Sequence, residues 1–307
     1  QYRLPAVYVG MPLLAALSVT HGFLPPHPSP AALVAQFGAN MGLTLLYGFI
    51  IAIPTIIIAG PLFAPLLKRI HSQPLKTFQV DPKPESELPG IGNSLFTALL
   101  PVLLLIGTTV LSFSIPKEDP LSPLVTFIAD PGIVMLVSLF YATFSLGLKR
   151  NQTMTQLMEV YTAATKDISM ILLIVAGAGA LKQIFTDTGV SQTIAEGLKT
   201  WEMHPLLLAW LITSVIRVCV GSATVAGLTT AGIIAPLVTT MNVDPNLLVL
   251  SIGAGSLMFS HFNDGGFWMY KEFFNVSTKD TIKSWSLMET IVAVAGLVGV
   301  LLLDLFI

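Results

Sequence analysis

Apolar residues run through this chain in long blocks, and the interruptions are few enough to place one by one. The blocks at 44–67, 94–115, 124–148, 168–185 and 282–307 approach or exceed the length of about 20 residues that crosses a bilayer as a helix. Pro54, Pro61 and Pro65 are expected to bend the first of them. Gly177 and Gly179 are expected to let the fourth pack closely against a neighbour. Polar segments at 68–93, 116–123 and 186–203 read as connections, and 151–166 reads as an amphipathic helix at the membrane surface.

Two further apolar blocks break in their middle. One spans 4–20, reaches Ser18-Val19-Thr20-His21-Gly22-Phe23-Leu24-Pro25-Pro26-His27-Pro28, and resumes as a short helix over 31–41. The other spans 246–274 and breaks at Ser256-Leu257-Met258-Phe259-Ser260-His261-Phe262-Asn263-Asp264-Gly265-Gly266-Phe267-Trp268. Proline removes a backbone donor and glycine lets the chain leave the helix. In hydrocarbon each freed backbone group needs a partner from protein, water or ligand. Between the breaks, the runs 205–220 and 228–241 are short for a span and meet at Gly221-Ser222-Ala223-Thr224-Val225-Ala226-Gly227, which carries no charge. A tip in water would be polar, so this pair predicts a re-entrant hairpin whose tip lies inside the membrane.

Composition agrees. The chain is 53% hydrophobic and 10% charged, with a mean hydropathy of +0.79, against about 25% charged residues in soluble domains. The expected fold class is therefore an all-α polytopic membrane protein. The net charge of -2 and the lack of a basic stripe give no reason to expect a nucleic-acid partner. Cys219 is the single cysteine, so no intrachain disulfide is expected. His27, His71 and His204 lack metal-ligand spacing, and no phosphate-binding loop is present, so neither a metal nor another cofactor is expected. The chain opens on Gln1 and enters an apolar block within a few residues, which reads as a truncated N-terminus. Lys and Arg concentrate in 68–93 and 149–166, which places those segments in the cytoplasm and the loop around Glu118 outside. Counting spans from there, with Arg3 inside, the two broken helices run in opposite directions, as in an inverted-repeat transporter with a site near the midplane.

The candidate chemistry sits in the breaks. Asp264 is costly inside a membrane without a partner or a task. His261 and Asn263 add donors and acceptors, and the half-helix restarting after Gly265 and Gly266 aims its positive end at the break. The plainer reading is that Asp264 only caps that half-helix. Thr20 and His21 stand at the first break, where His21 can hydrogen-bond and titrate; an ordinary loop at the end of a helix is the alternative. Ser222 and Thr224 can cap the second hairpin arm or bind hydroxyls. Arg217, four residues before the tip, can hold a substrate carboxylate, pair with Asp264, or snorkel.

At these residues the chain resembles the gluconate permease family of sugar-acid:proton symporters. The likeness is carried by 16–28, by Thr44-Leu45-Leu46-Tyr47-Gly48, by Arg217 with 221–226, and by Phe259-Ser260-His261 with Asn263-Asp264 and Gly266-Phe267-Trp268. Trp285 with Met288-Glu289-Thr290 completes it, and the likeness runs over essentially the whole chain. Ser29, Phe262, Gly265, Ala176 and Ala178 depart from the family's usual residues without removing a polar site atom.

The resemblance implies a multi-pass protein of the bacterial inner membrane that imports gluconate or a related sugar acid with protons. It implies a homodimer in which a transport domain moves against a scaffold. Residues 1–42 would be the first broken helix, its partner hairpin missing from this chain, which is then expected to be inactive alone. Residues 43–203 would be scaffold, 204–275 the hairpin and second broken helix, and 276–307 a last span. The substrate carboxylate would meet Gly266 and Arg217. Its hydroxyls would meet Ser222, Thr224, Ser260, Asn263, Thr20 and His21, with Asp264 or His261 carrying the proton. Another small carboxylate is the alternative substrate. An intramembrane enzyme built on His21, His261 and Asp264 is disfavoured, because no nucleophile–base pair stands at helical spacing.

Overall fold

The computed structural model describes residues 4–72, 88–116, 119–188, 203–238 and 243–307. Several sequence expectations lie outside these residues: Arg3, most of the 68–93 linker, Glu118, most of the polar stretch 186–203, and the end of the second hairpin arm. Among the described residues every regular element is helical. In order they are α1 (Ala6–Phe23), α2 (Pro28–Phe37), α3 (Met41–Ile57), α4 (Ile91–Ser114), α5 (Ser122–Ile128), α6 (Pro131–Ala142) and α7 (Met154–Asp187). There follow α8 (Pro205–Val220), α9 (Ala223–Val238), α10 (Pro245–Gly255), α11 (Gly265–Phe274), α12 (Thr278–Thr281) and α13 (Leu287–Asp304).

Five stretches are long and apolar enough to cross a membrane: Ala6–Phe37, Met41–Leu67, Ile91–Leu111, Pro131–Arg150 and Thr278–Asp304. Their surfaces show why these helices are apolar all round. In α1, Val7, Met11, Ala15, Val19 and Phe23 recur every four residues and face the core with at most 1% exposure. On its opposite side Val9 and Leu13 are each more than half exposed. A helix in water would carry polar residues on that outer face; in a bilayer apolar ones belong there.

Three local expectations change. The break after α1 is confined to 24–27, so Thr20, His21 and Gly22 are still helical, and Pro28 opens α2 at a position where a missing N–H costs nothing. The run 124–148 is not one helix. It stops at Ala129, and the Asp130 carboxylate restarts it by accepting from the N–H groups of Gly132 (2.9 Å) and Ile133 (3.2 Å). The segments 151–166 and 168–185 are not separate elements, because α7 runs through both. Of the prolines of 44–67, Pro54 lies inside α3, while Pro61 and Pro65 coincide with a change of helix type, a π turn at Ile58–Leu62 and a 3-10 turn at Ala64–Leu67.

The core is built around α10, in which every residue from Asn246 to Gly255 is buried. Its start is held by Asp244, which accepts from the Asn246 N–H at 2.6 Å. Asn246 Oδ1 in turn accepts from the Asn40 N–H and the Thr44 hydroxyl, both at 2.9 Å, which ties α10 to the start of α3. The Ser251 hydroxyl donates to the Leu206 carbonyl of α8 at 2.6 Å, and Trp210 Nε1 donates from α8 to Ala293 of α13 at 3.0 Å. α3 and α13 therefore share one core with the broken helices.

Glycine decides how closely α1 and α10 approach. A Cβ on Gly253 would stand 2.3 Å from the Gly22 carbonyl oxygen, and one on Gly22 would stand 2.6 Å from Leu257. The two helices thus touch backbone to backbone beside both breaks. Gly253→Ala should destabilise the folded protein by about 2 kcal/mol, the cost of overpacking a fixed interface. Gly107→Ala, on a helix position with open space around it, should be neutral or slightly stabilising. Thermal melts of the detergent-purified full-length protein measure both.

Candidate functional site

The second break runs from Ser256 to Asp264, and its geometry is set by Asp264. That carboxylate caps α11 by accepting the Gly266 N–H at Oδ1, 2.8 Å. Its other oxygen receives Arg217 Nη2 at 2.6 Å and the hydroxyl of Ser260. Trp285 Nε1 donates to Ser260 Oγ at 2.7 Å, and the Ser286 hydroxyl donates to the Ser260 carbonyl. Arg217 is 4% exposed, and its Nη1 also donates to the Gly221 carbonyl. A buried ion of either sign alone would cost several kcal/mol; paired and hydrogen-bonded, the two charges are held.

The hairpin of α8 and α9 turns at Gly221, whose φ of 82° is left-handed. A Cβ there would stand 2.3 Å from the Asn263 carbonyl oxygen, so only glycine lets the tip lie against the break. The contact is fastened by hydrogen bonds to the exposed end of α8. Asn263 Nδ2 donates to the carbonyls of Val218 (2.8 Å) and Cys219 (3.1 Å), and His261 Nε2 donates to Val218 at 3.0 Å. Ser222 opens α9, its Oγ accepting from the Val225 N–H at 3.3 Å.

Together these elements enclose a cavity of about 560 Å³. α1 contributes Leu14, Leu17, Ser18 and His21; the hairpin contributes Arg217, Val220, Gly221, Ser222, Ala223 and Thr224. The second break and the start of α11 add Leu257, Asn263, Asp264, Gly265 and Gly266; the π turn Ile282–Ser286 adds Trp285, and α13 adds Glu289. Of the residues singled out from sequence, His21, Arg217, Ser222, Thr224, Asn263, Asp264 and Gly266 share this cavity. Thr20 does not: it is exposed and its hydroxyl donates back to the Ala16 carbonyl at 2.7 Å. Ser260 stands behind Asp264, at 1% exposure. His261 is spent on fastening the loop to α8.

Sequence reasoning missed Ser18, Trp285 and Glu289 as cavity residues. Glu289 was legible as a carboxylate in the otherwise apolar run of α13. It is 2% exposed and accepts from the Ser18 hydroxyl at Oε1; Oε2 has no hydrogen-bond partner among the described residues. Among those residues no cluster of three or more His, Cys, Asp or Glu is placed to hold a metal.

The cavity's field follows from the fold. Arg217 and Asp264 largely cancel each other. What remains are the Glu289 carboxyl and the N-termini of α9 and α11, which both open onto the cavity with the positive end of a helix dipole. Beside them stand hydroxyls and a histidine. Such a site is suited to a small anion that carries hydroxyl groups.

Helical elements throughout the described residues, five membrane-length stretches and a cavity beside the second helix break define a multi-pass membrane transport protein. Residues 1–306 match the GntP family permease, and the chain belongs to that family. It is 47% identical to a high-affinity gluconate transporter of Escherichia coli (strain K12), over 99% of this chain and 70% of the relative. It is 42% identical to the Gnt-II system L-idonate transporter of the same organism, over 98% of this chain and 69% of the relative. A gluconate permease of Bacillus licheniformis is 44% identical, again over 98% and 69%.

Removing one partner of the Arg217–Asp264 pair strands the other charge. Arg217→Ala should cost about 3–5 kcal/mol. The Arg217→Gln, Asp264→Asn double variant should lose less than the sum of its single variants by at least about 1 kcal/mol. Unfolding of the purified full-length protein, followed across the double-mutant cycle, reads the difference.

Proposed function

We propose that this permease imports gluconate or a closely related sugar acid together with protons across the bacterial inner membrane. The observation that carries the reading is the cavity, in which two helix N-termini and the hydroxyls of Ser222 and Thr224 face one space. An anionic head and a polyhydroxylated tail need that combination. The volume of about 560 Å³ fits a small ligand, and relatives named for gluconate transport support the substrate class.

In this reading the substrate carboxylate lies against the backbone N–H groups at the start of α9 or α11. Arg217 supports it while keeping its bond to Asp264. The substrate hydroxyls reach Ser222, Thr224 and His21; Asn263 and Ser260 hold the wall in place. The second reading, L-idonate, is favoured by the relative named for it, and its hydroxyls meet the same residues.

The hairpin and the two broken helices are proposed as the moving part, arranged as inverted counterparts, with the hairpin tip inside the membrane. Two facts support this: α8 has 16 residues, shorter than a span, and Gly221 is locked onto the break. α4 and α6 are the least buried of the long spans, and we propose them as the scaffold through which two copies pair.

Uphill uptake of labelled gluconate into vesicles bearing the full-length protein, collapsed by a proton uncoupler, is the expected result. No uptake of gluconate alongside uptake of another carboxylate would replace the substrate. Ser222→Ala and Thr224→Ala should each raise KM for gluconate about fivefold, the loss of one hydrogen bond of about 1 kcal/mol.

A further inference from the structure

The proposed reaction leaves open which group takes the proton. Asp264 is poorly placed to do so. Both of its oxygens are engaged, by Arg217, Ser260 and the Gly266 N–H, and protonating it would strand Arg217 at 4% exposure. His261 fastens the break to the end of α8 and does not line the cavity.

Glu289 differs on every count. It sits on α13, lines the cavity, and is 2% exposed. Its bond to Ser18 satisfies one oxygen, and its other oxygen has no partner among the described residues. The titratable and charged groups that share the cavity with it are His21 from α1, Arg217 from α8, and Asp264 before α11. The one permanent cation among them, Arg217, is already paired. A carboxylate without its own counter-ion is costly in such a place, and a proton removes that cost.

We propose that Glu289 is the proton carrier that couples sugar-acid entry to the proton gradient. The inference rests on the sugar-acid reading and explains its stoichiometric sense. Ionised, Glu289 sets a second negative charge against the substrate carboxylate in one small cavity. Protonated, it leaves the start of α9 to hold the anion, and its acid O–H becomes a donor to a substrate hydroxyl. Like charges at this range disfavour each other strongly. The anion and the proton therefore occupy the cavity together, and each leaves more readily when the other has left. The proton bond at Glu289 forms from water on the outer side and breaks to water on the inner side; no redox partner is involved.

The test uses the full-length protein in proteoliposomes. In wild type, gluconate exchange between equal pools should weaken as pH rises, because the carboxyl loses its proton. Glu289→Gln should abolish accumulation driven by a proton gradient and flatten that pH dependence, and Glu289→Asp should restore part of both. Infrared difference spectra of purified protein at neutral pH should show the carbonyl band of a protonated carboxylic acid that Glu289→Gln lacks.

Proton-driven accumulation by Glu289→Gln overturns the inference, as does loss of exchange together with accumulation. A pH dependence that survives in Glu289→Gln but vanishes in His21→Gln moves the role to His21 and also overturns it. Absence of gluconate uptake by wild type instead defeats the substrate reading, and the infrared arm then decides the Glu289 assignment on its own.

Discussion

The site depends on a single carboxylate being satisfied from three directions. Asp264 joins the break to α8 through Arg217, to α11 through the Gly266 N–H, and through Ser260 to Trp285. Each of those elements would otherwise present a poorly solvated group without a partner. Arg217 needs an anion, and the start of α11 needs an acceptor. The irregular segment also needs anchors, because it has left the helix and lost its own hydrogen bonds. One residue meets these demands together, which is why a charge can stand in the middle of an apolar chain.

The same constraint shapes the packing. α1 and α10 can lie side by side only if their backbones approach closely, and Gly22 and Gly253 permit it. The hairpin tip can reach the break only because Gly221 carries no Cβ. Around this centre the outward residues of α1 remain apolar. Lipid replaces water as the solvent there, so burial inside the protein no longer separates apolar residues from polar ones. Within the cavity Arg217 and Asp264 offset each other, and the helix ends and Glu289 set the charge balance.

Much of the fold was legible because a membrane imposes a simple code. Apolar length marked the spans, and Pro and Gly marked the interruptions, so the broken helices were found from residues alone; the hairpin turn is shorter than the expected tip of 221–227, because the second arm is already helical from Ala223. Asp130 shows the limit. An Asp-Pro-Gly sequence inside an apolar run restarts a helix, yet the surrounding hydropathy hides the break. α7 shows the reverse: a change from polar to apolar composition along 151–185 suggested two elements, but composition does not end a helix when no residue breaks its hydrogen bonds.

Sequence by itself determined the membrane class, the places where the chain must leave the helix, and most of the polar residues that end in the cavity. Those follow from local chemistry: hydropathy, backbone freedom and the cost of an intramembrane charge. Tertiary structure decided which of them meet. It turned Thr20 away and placed Ser260 behind Asp264. It spent His261 on the loop and brought Glu289, 25 positions beyond Asp264 in the chain, into the same cavity. A side chain's direction depends on how its helix is rotated in the packed core. That rotation is fixed by contacts between elements far apart in sequence, such as Gly22 with Gly253 and Asn246 with Thr44.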